Sequence, residues 1–250
     1  MRFPFIARLG QDSLQLVLIL ASVLLVRTAV ASPYYVPSGS MEPTLQIGDE
    51  LLSTKYPYGY GRFSPPIDLG PSVSGRWLEK LPERGDVVVF QPPRHADETW
   101  VKRVVGLPGD HIQMRDGFLR INGQDLPVRR DGSVLMEDKE GDTRLVARFI
   151  ETLPNGRQHP ILKQHTDGPL DNTPELIVPP GHLFMMGDNR DHSWDSRAPE
   201  ALGGIGFVPV ENLIGRSEII LGSWDFPNAQ KGVRHWVEGV RLSRFFTAIN

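Results

Sequence analysis

The stretch from Leu14 to Val26, LQLVLILASVLLV, is almost wholly apolar, and it divides the chain before any other feature does. Extended to Ala31 it covers about 18 residues, about 27 Å as a helix, against the roughly 30 Å of a bilayer's hydrocarbon. Arg27, near one end, can reach the interface along its aliphatic stem. Arg2 and Arg8 precede the segment, which predicts a cytoplasmic N-terminus. The expected organisation is a cytoplasmic tail over 1–12, a transmembrane helix over 13–31, and an extracytoplasmic remainder. Two other readings compete. Ala29-Val30-Ala31 fits the small-residue pattern of a cleavable secretory leader, although Arg27 lies badly for cleavage. A buried core helix is the third.

The remainder reads as strands and turns. The sequence holds 25 glycines and 22 prolines, which favours a turn-rich β protein over a helical bundle. Val87-Val88-Val89-Phe90 and Val101 to Val105 have the β-branched content of buried strands. Phe118 to Ile121 followed by Asn122-Gly123 predicts a hairpin. Tyr56 to Pro71 lacks helical periodicity and predicts a long loop or hairpin. Leu183 to Met186 and Glu218 to Leu221 predict further strands. From Leu126 to Leu176 charge rises and apolar runs thin, which predicts an inserted subdomain over 126–176 within a core formed by 32–125 and 177–250. Gly232 to Phe246 is amphipathic enough for a short helix.

Composition also excludes. A net charge of −3 with no basic run argues against a nucleic-acid partner. Absence of cysteine removes disulfides, a thiol nucleophile and thiolate metal sites. The seven histidines show no metal-binding spacing, and no cofactor is expected.

Serine chemistry remains. Pro37-Ser38-Gly39-Ser40-Met41-Glu42-Pro43 sets serines in a bend framed by glycine and proline. Lys102 stands between Trp100-Val101 and Val104-Val105. A hydroxyl needs a base to take its proton as it attacks, and a lysine serves only when neutral. An exposed lysine titrates near 10.4, so burial must remove about two to three units, or about 3–4 kcal/mol. Read singly, an edge lysine pointing to water and a plain Ser-Gly turn are the commoner arrangements. Ser38, Ser40, Ser53 and Ser64 are all candidate hydroxyls.

Three segments taken together decide among these. Pro37 to Leu45, Trp100 to Asp110, and Gly187-Asp188-Asn189-Arg190-Asp191-His192-Ser193-Trp194-Asp195-Ser196-Arg197 resemble, in that order, the motifs of the bacterial type I signal peptidases, serine/lysine endopeptidases that remove leader sequences from exported proteins. The resemblance implies Ser40 as nucleophile, Lys102 as general base and Ser38 as a donor to the oxyanion hole. It implies that Ser193 bonds and orients the lysine amine, and that an Asp195–Arg197 ion pair holds the loop. Cleavage would follow Ala-X-Ala-like sites, with small-residue pockets walled by Tyr34, Val36, Met41, Leu45, Leu51 and Val101. Tyr34, Val36 and Ser38 would alternate along one strand face leading to the nucleophile. The implied fold is mainly β, an antiparallel catalytic core with an inserted β subdomain behind one transmembrane helix. The implied partners are signal-peptide-bearing preproteins and membrane lipid. The implied location is the bacterial inner membrane, with the catalytic domain on the periplasmic side. Two other functions share these features: a self-cleaving repressor of the LexA type, which would carry a DNA-binding domain where this chain has its apolar segment, and a non-catalytic tethered module of the same fold.

Overall fold

A computed structural model describes residues 4–66, 68–70, 74–95, 97–137, 143–225 and 239–250, with helical side chains described from Ser13 onward. One α-helix, α1 (Pro4–Ala29), opens the chain. The strands follow in order: β1 (Ala31–Tyr35), β2 (Asp49–Thr54), β3 (Tyr60–Gly61), β4 (Arg76–Trp77), β5 (Val87–Phe90), β6 (Trp100–Gly106), β7 (His111–Arg115), β8 (Phe118–Ile121) and β9 (Gln124–Asp125). After them come β10 (Val128–Glu137), β11 (Thr143–Thr152), β12 (Gln158–Lys163), β13 (Leu176–Ile177), β14 (His182–Met186), β15 (Val208–Pro209), β16 (Leu213–Ser223) and β17 (Thr247–Ala248). The protein is mainly β.

The largest sheet runs β1-β2-β16-β5-β6-β14-β15, with β17 also on β16. Every pairing in it is antiparallel. Its centre is the Val87–Phe90 run, all four residues buried. Successive strand side chains point to opposite faces, and both faces of β5 are covered. Val88 and Phe90 pack with Val104, Leu183 and Met185. Val87 and Val89 pack on the other side with Met41, Leu45 and Leu51. Strands β6 and β14 continue the pattern, turning Val105, Phe184 and Met186 towards the small sheet of β13-β7-β8-β9. Among the described residues, strand β1 is an end of the large sheet, with β2 as its one neighbour.

From Ser13 to Arg27 the side chains of α1 are exposed, including every large apolar group between Leu14 and Val26. Among the described residues, no helix is long and apolar enough to cross a membrane. The junction to β1 is tied down. Ser32 Oγ donates to Arg27 O at 2.9 Å, Lys55 N to Val30 O at 2.9 Å, and Tyr60 Oη to Ala29 O at 2.8 Å.

Strands β10-β11-β12 form a separate three-stranded sheet, and β12 docks on the core. Leu162 N donates to Asp188 O and Arg190 N to Leu162 O, at 2.9 and 3.0 Å. Residues 56–71 contain a 3-10 turn at Tyr56–Tyr58 and strand β3, which pairs with β4. Two expectations need correction. The helix expected over 232–246 is, in its described part, only the 3-10 turn Leu242–Arg244, and residues 226–238 lie outside the described residues. The strand expected over Glu218 to Leu221 is longer, because Leu213–Ser223 is gripped by neighbours on both edges.

Phe90 is fully buried at the middle of the sheet. Phe90→Ala is expected to lower the unfolding free energy by about 3–5 kcal/mol in urea titration. A loss under about 1 kcal/mol would show that the site collapses around the cavity, or that β5 is not central to the core.

Candidate active site

Strand β1 ends at Tyr35, and the chain turns through a 3-10 turn at Gly39–Met41. The turn places Ser40 with only 8 % of its surface exposed. Lys102 comes from β6, where it sits opposite Val88 of β5. Its Nζ lies 2.9 Å from Ser40 Oγ and 3.2 Å from Val101 O, and 5.1 Å from the centre of the Trp100 ring. The lysine is 4 % exposed. Burial lowers its pKa from 10.5 to about 8, partly opposed by the charges of Asp195 and Asp188 and assisted by that of Arg197. The amine therefore reaches its neutral form near physiological pH, beside a hydroxyl.

A second buried lysine tests whether this pairing is distinctive. Lys55 is also lowered to about 8, by burial and then by the charges of Arg27 and Arg76. Its Nζ, however, is held by Tyr34 Oη and Ser64 O, at 3.2 and 2.8 Å. Among the described residues, only Lys102 combines a depressed amine with contact to a serine of the Ser-Gly-Ser turn.

Strand β14 carries the third motif into place. Met186 pairs with Arg103, so Gly187 arrives next to the Ser40 turn. A side chain at Gly187 would put a Cβ 2.4 Å from Ser40 O and 2.3 Å from Ser193 Oγ, so only glycine fits. Asn189 then fastens the Ser40 turn, its N donating to Ser40 O at 3.1 Å and its Nδ2 to Gly39 O at 3.0 Å. Asp195 and Arg197 form a fully buried, two-pronged pair at 2.8 Å on each prong. Asp195 also accepts Gly187 N at 3.1 Å. Burial alone would raise the Asp195 carboxyl, but the Arg197 charge and hydrogen bonds bring it below its ordinary value.

The chain matches the family model described as signal peptidase, peptidase S26, over residues 10–224. It is 38 % identical over 252 residues to a signal peptidase I of Rickettsia typhi, covering 94 % of this chain and 92 % of that protein. It is 40 % identical over 239 residues to a signal peptidase I of Rickettsia canadensis, with 89 % and 87 % covered. This chain belongs to the signal peptidase family, peptidase S26. It is accordingly a serine endopeptidase of the signal-peptide-removing kind. A solved signal peptidase I from Enterococcus faecalis is 28 % identical and covers 55 % of this chain and 97 % of its own, with a TM-score of 0.31, too low to bear on the fold.

Other residues expected at a signal peptidase site fall differently. Ser38 is exposed, with its Oγ 3.4 Å from Ser40 Oγ. Because β1 stops at Tyr35, the alternation of Tyr34 and Val36 does not run on to Ser38 as one strand face. Ser193 Oγ is buried and interacts with the Asp195 carboxylate, which it helps to hold low, and the expected bond to the Lys102 amine is not formed. Val36, Met41, Leu45 and Leu51 are at most 1 % exposed and pack together as core. Only Tyr34 and Val101, at the edge of that cluster, keep surface that a substrate could touch.

The signal peptidase site also rests on residues that the sequence pattern did not single out. Arg103, next to Lys102, makes a buried two-pronged pair with Asp188 at 2.8 Å on each prong. Asp188 also accepts Thr44 Oγ1, from the end of the serine segment. Arg190 pairs with Glu151 of β11 at 3.0 and 2.6 Å. The available signal was the run of charge in the motif loop, which reads equally well as a solvated turn.

If burial holds Lys102 near 8, it costs folding stability wherever the unfolded chain keeps the lysine charged. The folded pKa lies below the unfolded 10.5, so the unfolded state binds more protons between those limits and stability from this group rises across that window. Relative to Lys102→Met, wild-type stability is expected to climb by roughly 3 kcal/mol between pH 8 and pH 10.5 in denaturant titrations. A flat difference would mean that the amine is not depressed.

Proposed function

We propose that Ser40 is the nucleophile and Lys102 the general base with which this peptidase removes signal peptides from exported preproteins. The 2.9 Å contact between Lys102 Nζ and Ser40 Oγ, with both side chains buried, carries the reading. The neutral amine takes the hydroxyl proton as Oγ attacks the carbonyl carbon of the scissile bond. The ammonium so formed returns the proton to the leaving amine, and an acyl-serine remains. Lys102, neutral again, then takes a proton from the water that hydrolyses the ester. Ser38 Oγ–H and the Ser40 backbone N–H are the donors for the oxyanion, each worth a few kcal/mol in the transition state. The Asp195–Arg197 pair supports the loop against the dyad. Ser193, beside Gly187, is the residue this reading assigns to orienting the amine.

The substrate adds as an extended strand along the open edge of β1, through main-chain hydrogen bonds. Tyr34 and Val101 limit the space beside it, which selects small side chains as in Ala-X-Ala sites. The buried Val36, Met41, Leu45 and Leu51 set that limit from behind. The same reading divides the chain into a core of 32–125 and 177–250 and an inserted subdomain of 126–176, a division that the separate sheet of β10–β12 supports. Residues 13–31 anchor the protein in the bacterial inner membrane, with 1–12 cytoplasmic and the catalytic core on the periplasmic side. Support comes from the unpacked apolar side chains of α1, since a helix that is apolar all round is covered by protein or by lipid. Anchoring also confines the enzyme to the surface where its substrates emerge.

With a purified preprotein, Ser40→Ala and Lys102→Ala are each expected to abolish cleavage, by at least about a thousandfold, while circular dichroism stays unchanged. Cleavage by either variant at the wild-type rate removes that residue from its role. Wild-type kcat/KM is expected to rise through about pH 8 as Lys102 loses its proton, and a rate independent of pH from 6 to 10 rules out a lysine base. Ser38→Ala is expected to lower kcat by about ten- to a thousandfold with KM little changed, as for a donor used only in the transition state. An unchanged kcat removes Ser38 from the oxyanion hole.

A further inference from the structure

We propose that the groove between the end of α1 and the β3–β4 segment binds one phospholipid of the surrounding bilayer, with an acyl chain in the groove and the phosphate at Arg27. The proposal rests on α1 being the membrane anchor and deepens that reading. Thr28 and Ala29 of α1 form one wall, and Tyr60, Pro65, Leu69 and Trp77 line the rest. The groove has a volume of about 460 Å³, within the roughly 300–1,000 Å³ of small-ligand sites. Its lining is almost wholly apolar. Much of that surface lies open: Trp77 is 70 % exposed and Leu69 48 %. The next residue, Leu78, is 61 % exposed and held at φ 55°, a left-handed conformation uncommon for leucine. Such a surface is costly against water and not against hydrocarbon.

Continuity, aromatic placement and charge all favour lipid as the occupant. The exposed apolar side chains of α1 run from Leu14 to Val26, and the groove begins two residues later at Thr28. An acyl chain lying along the helix therefore meets the groove without leaving apolar surroundings. Tyr60 Oη donates to Ala29 O at 2.8 Å, and its ring centre lies 5.9 Å from that of Trp77. An aromatic pair is thus fixed at the level where the helix ends, and such rings settle at the boundary between membrane and water. Arg27 lies two residues, or about 3 Å, back along the helix axis from Ala29. The charges of Arg27 and Arg76 both push the Lys55 amine down, so three cations are gathered beside the groove. Arg76 donates to the carbonyls of Tyr58, Gly59 and Leu213 and feels Glu79, while Asp68 is taken up by Arg62. Arg27 and Lys55 have no carboxylate partner among the described residues, and a phosphate supplies the missing charge. An apolar peptide segment would not. The site also reaches the substrate side, because Lys55 Nζ donates both to Ser64 O on the groove and to Tyr34 Oη.

The test titrates the full-length protein in detergent with phosphatidylglycerol brominated along its acyl chains, which quenches tryptophan on contact. The expected result is a saturable loss of fluorescence at about one lipid per protein, absent from Trp77→Phe. Leu69→Glu, which sets a charge in the groove, is expected to raise the half-saturating lipid concentration by about tenfold or more. Arg27→Gln is expected to raise it by about fivefold. Quenching that grows linearly with lipid, or that persists in Trp77→Phe, overturns the proposal, as does an undiminished affinity in Leu69→Glu. Should Leu69→Glu not fold, the comparison with Trp77→Phe decides. An unchanged affinity in Arg27→Gln overturns the placement of the phosphate. Displacement of the lipid by an equimolar apolar signal-peptide segment assigns the groove to the substrate and overturns the proposal too. Flotation of the wild type with liposomes separates the two readings. Protein that stays behind refutes the anchor and the lipid site with it, whereas protein that floats without saturable quenching refutes the lipid site alone.

Discussion

On the proposed reading the amine of Lys102 must give up its proton while lying among ionised acids, and much of the site's construction bears on that requirement. An unpaired carboxylate about 7 Å away would contribute about 2.4 kcal/mol at an effective dielectric of 20, or nearly two pKa units. That would cancel most of the depression that burial gives. Both acids acting on Lys102 are instead held two-pronged by arginines, Asp195 by Arg197 and Asp188 by Arg103. Their fields are largely neutralised at source, so desolvation wins. The arginines serve the loop's shape and the lysine's protonation at once.

Those ion pairs are buried, so they are weak as sources of stability and strong as sources of definition. Breaking one partner strands a charge in the interior. The loop from Gly187 to Arg197 is therefore held in one arrangement, and through Asn189 so is the Ser40 turn. The three-stranded sheet of β10–β12 takes part as well. Leu162 exchanges backbone hydrogen bonds with the motif loop on either side of Asn189, while Lys163 reaches Asp171 and Asp191. A segment that looks separable in sequence is thus welded to the 187–197 loop along one strand.

Much of this was legible in the residues. The Val87–Phe90 run announced a strand covered on both faces, and Ser40 and Lys102 could be paired because each stands in a recognisable segment. The Asp195–Arg197 pair was legible for the same reason. What sequence hid was partnership between segments. Nothing in Glu151 betrays that it meets Arg190, since the pairing depends on how β11 lies against the loop. For Val36, Met41, Leu45 and Leu51 the residues alone do not tell a pocket wall from core, because an apolar residue beside the serine turn reads the same either way. The tail's amphipathic pattern did not yield an α-helix in the residues described, where Phe246 N and Ile249 N bond instead to β16.

The junction between α1 and β1 leaves no slack. The helix ends at Ala29, the strand begins at Ala31, and hydrogen bonds from Ser32, Lys55 and Tyr60 clamp the joint. From there the chain runs to Ser40 with no flexible spacer long enough to act as a leash. The distance of Ser40 from the helix end is thus a built-in length, at most about 36 Å for eleven extended residues. With Ser40 as the proposed nucleophile, an enzyme made this way works as a fixed gauge: whatever plane the helix is held in, the bond it cuts must be presented at one height.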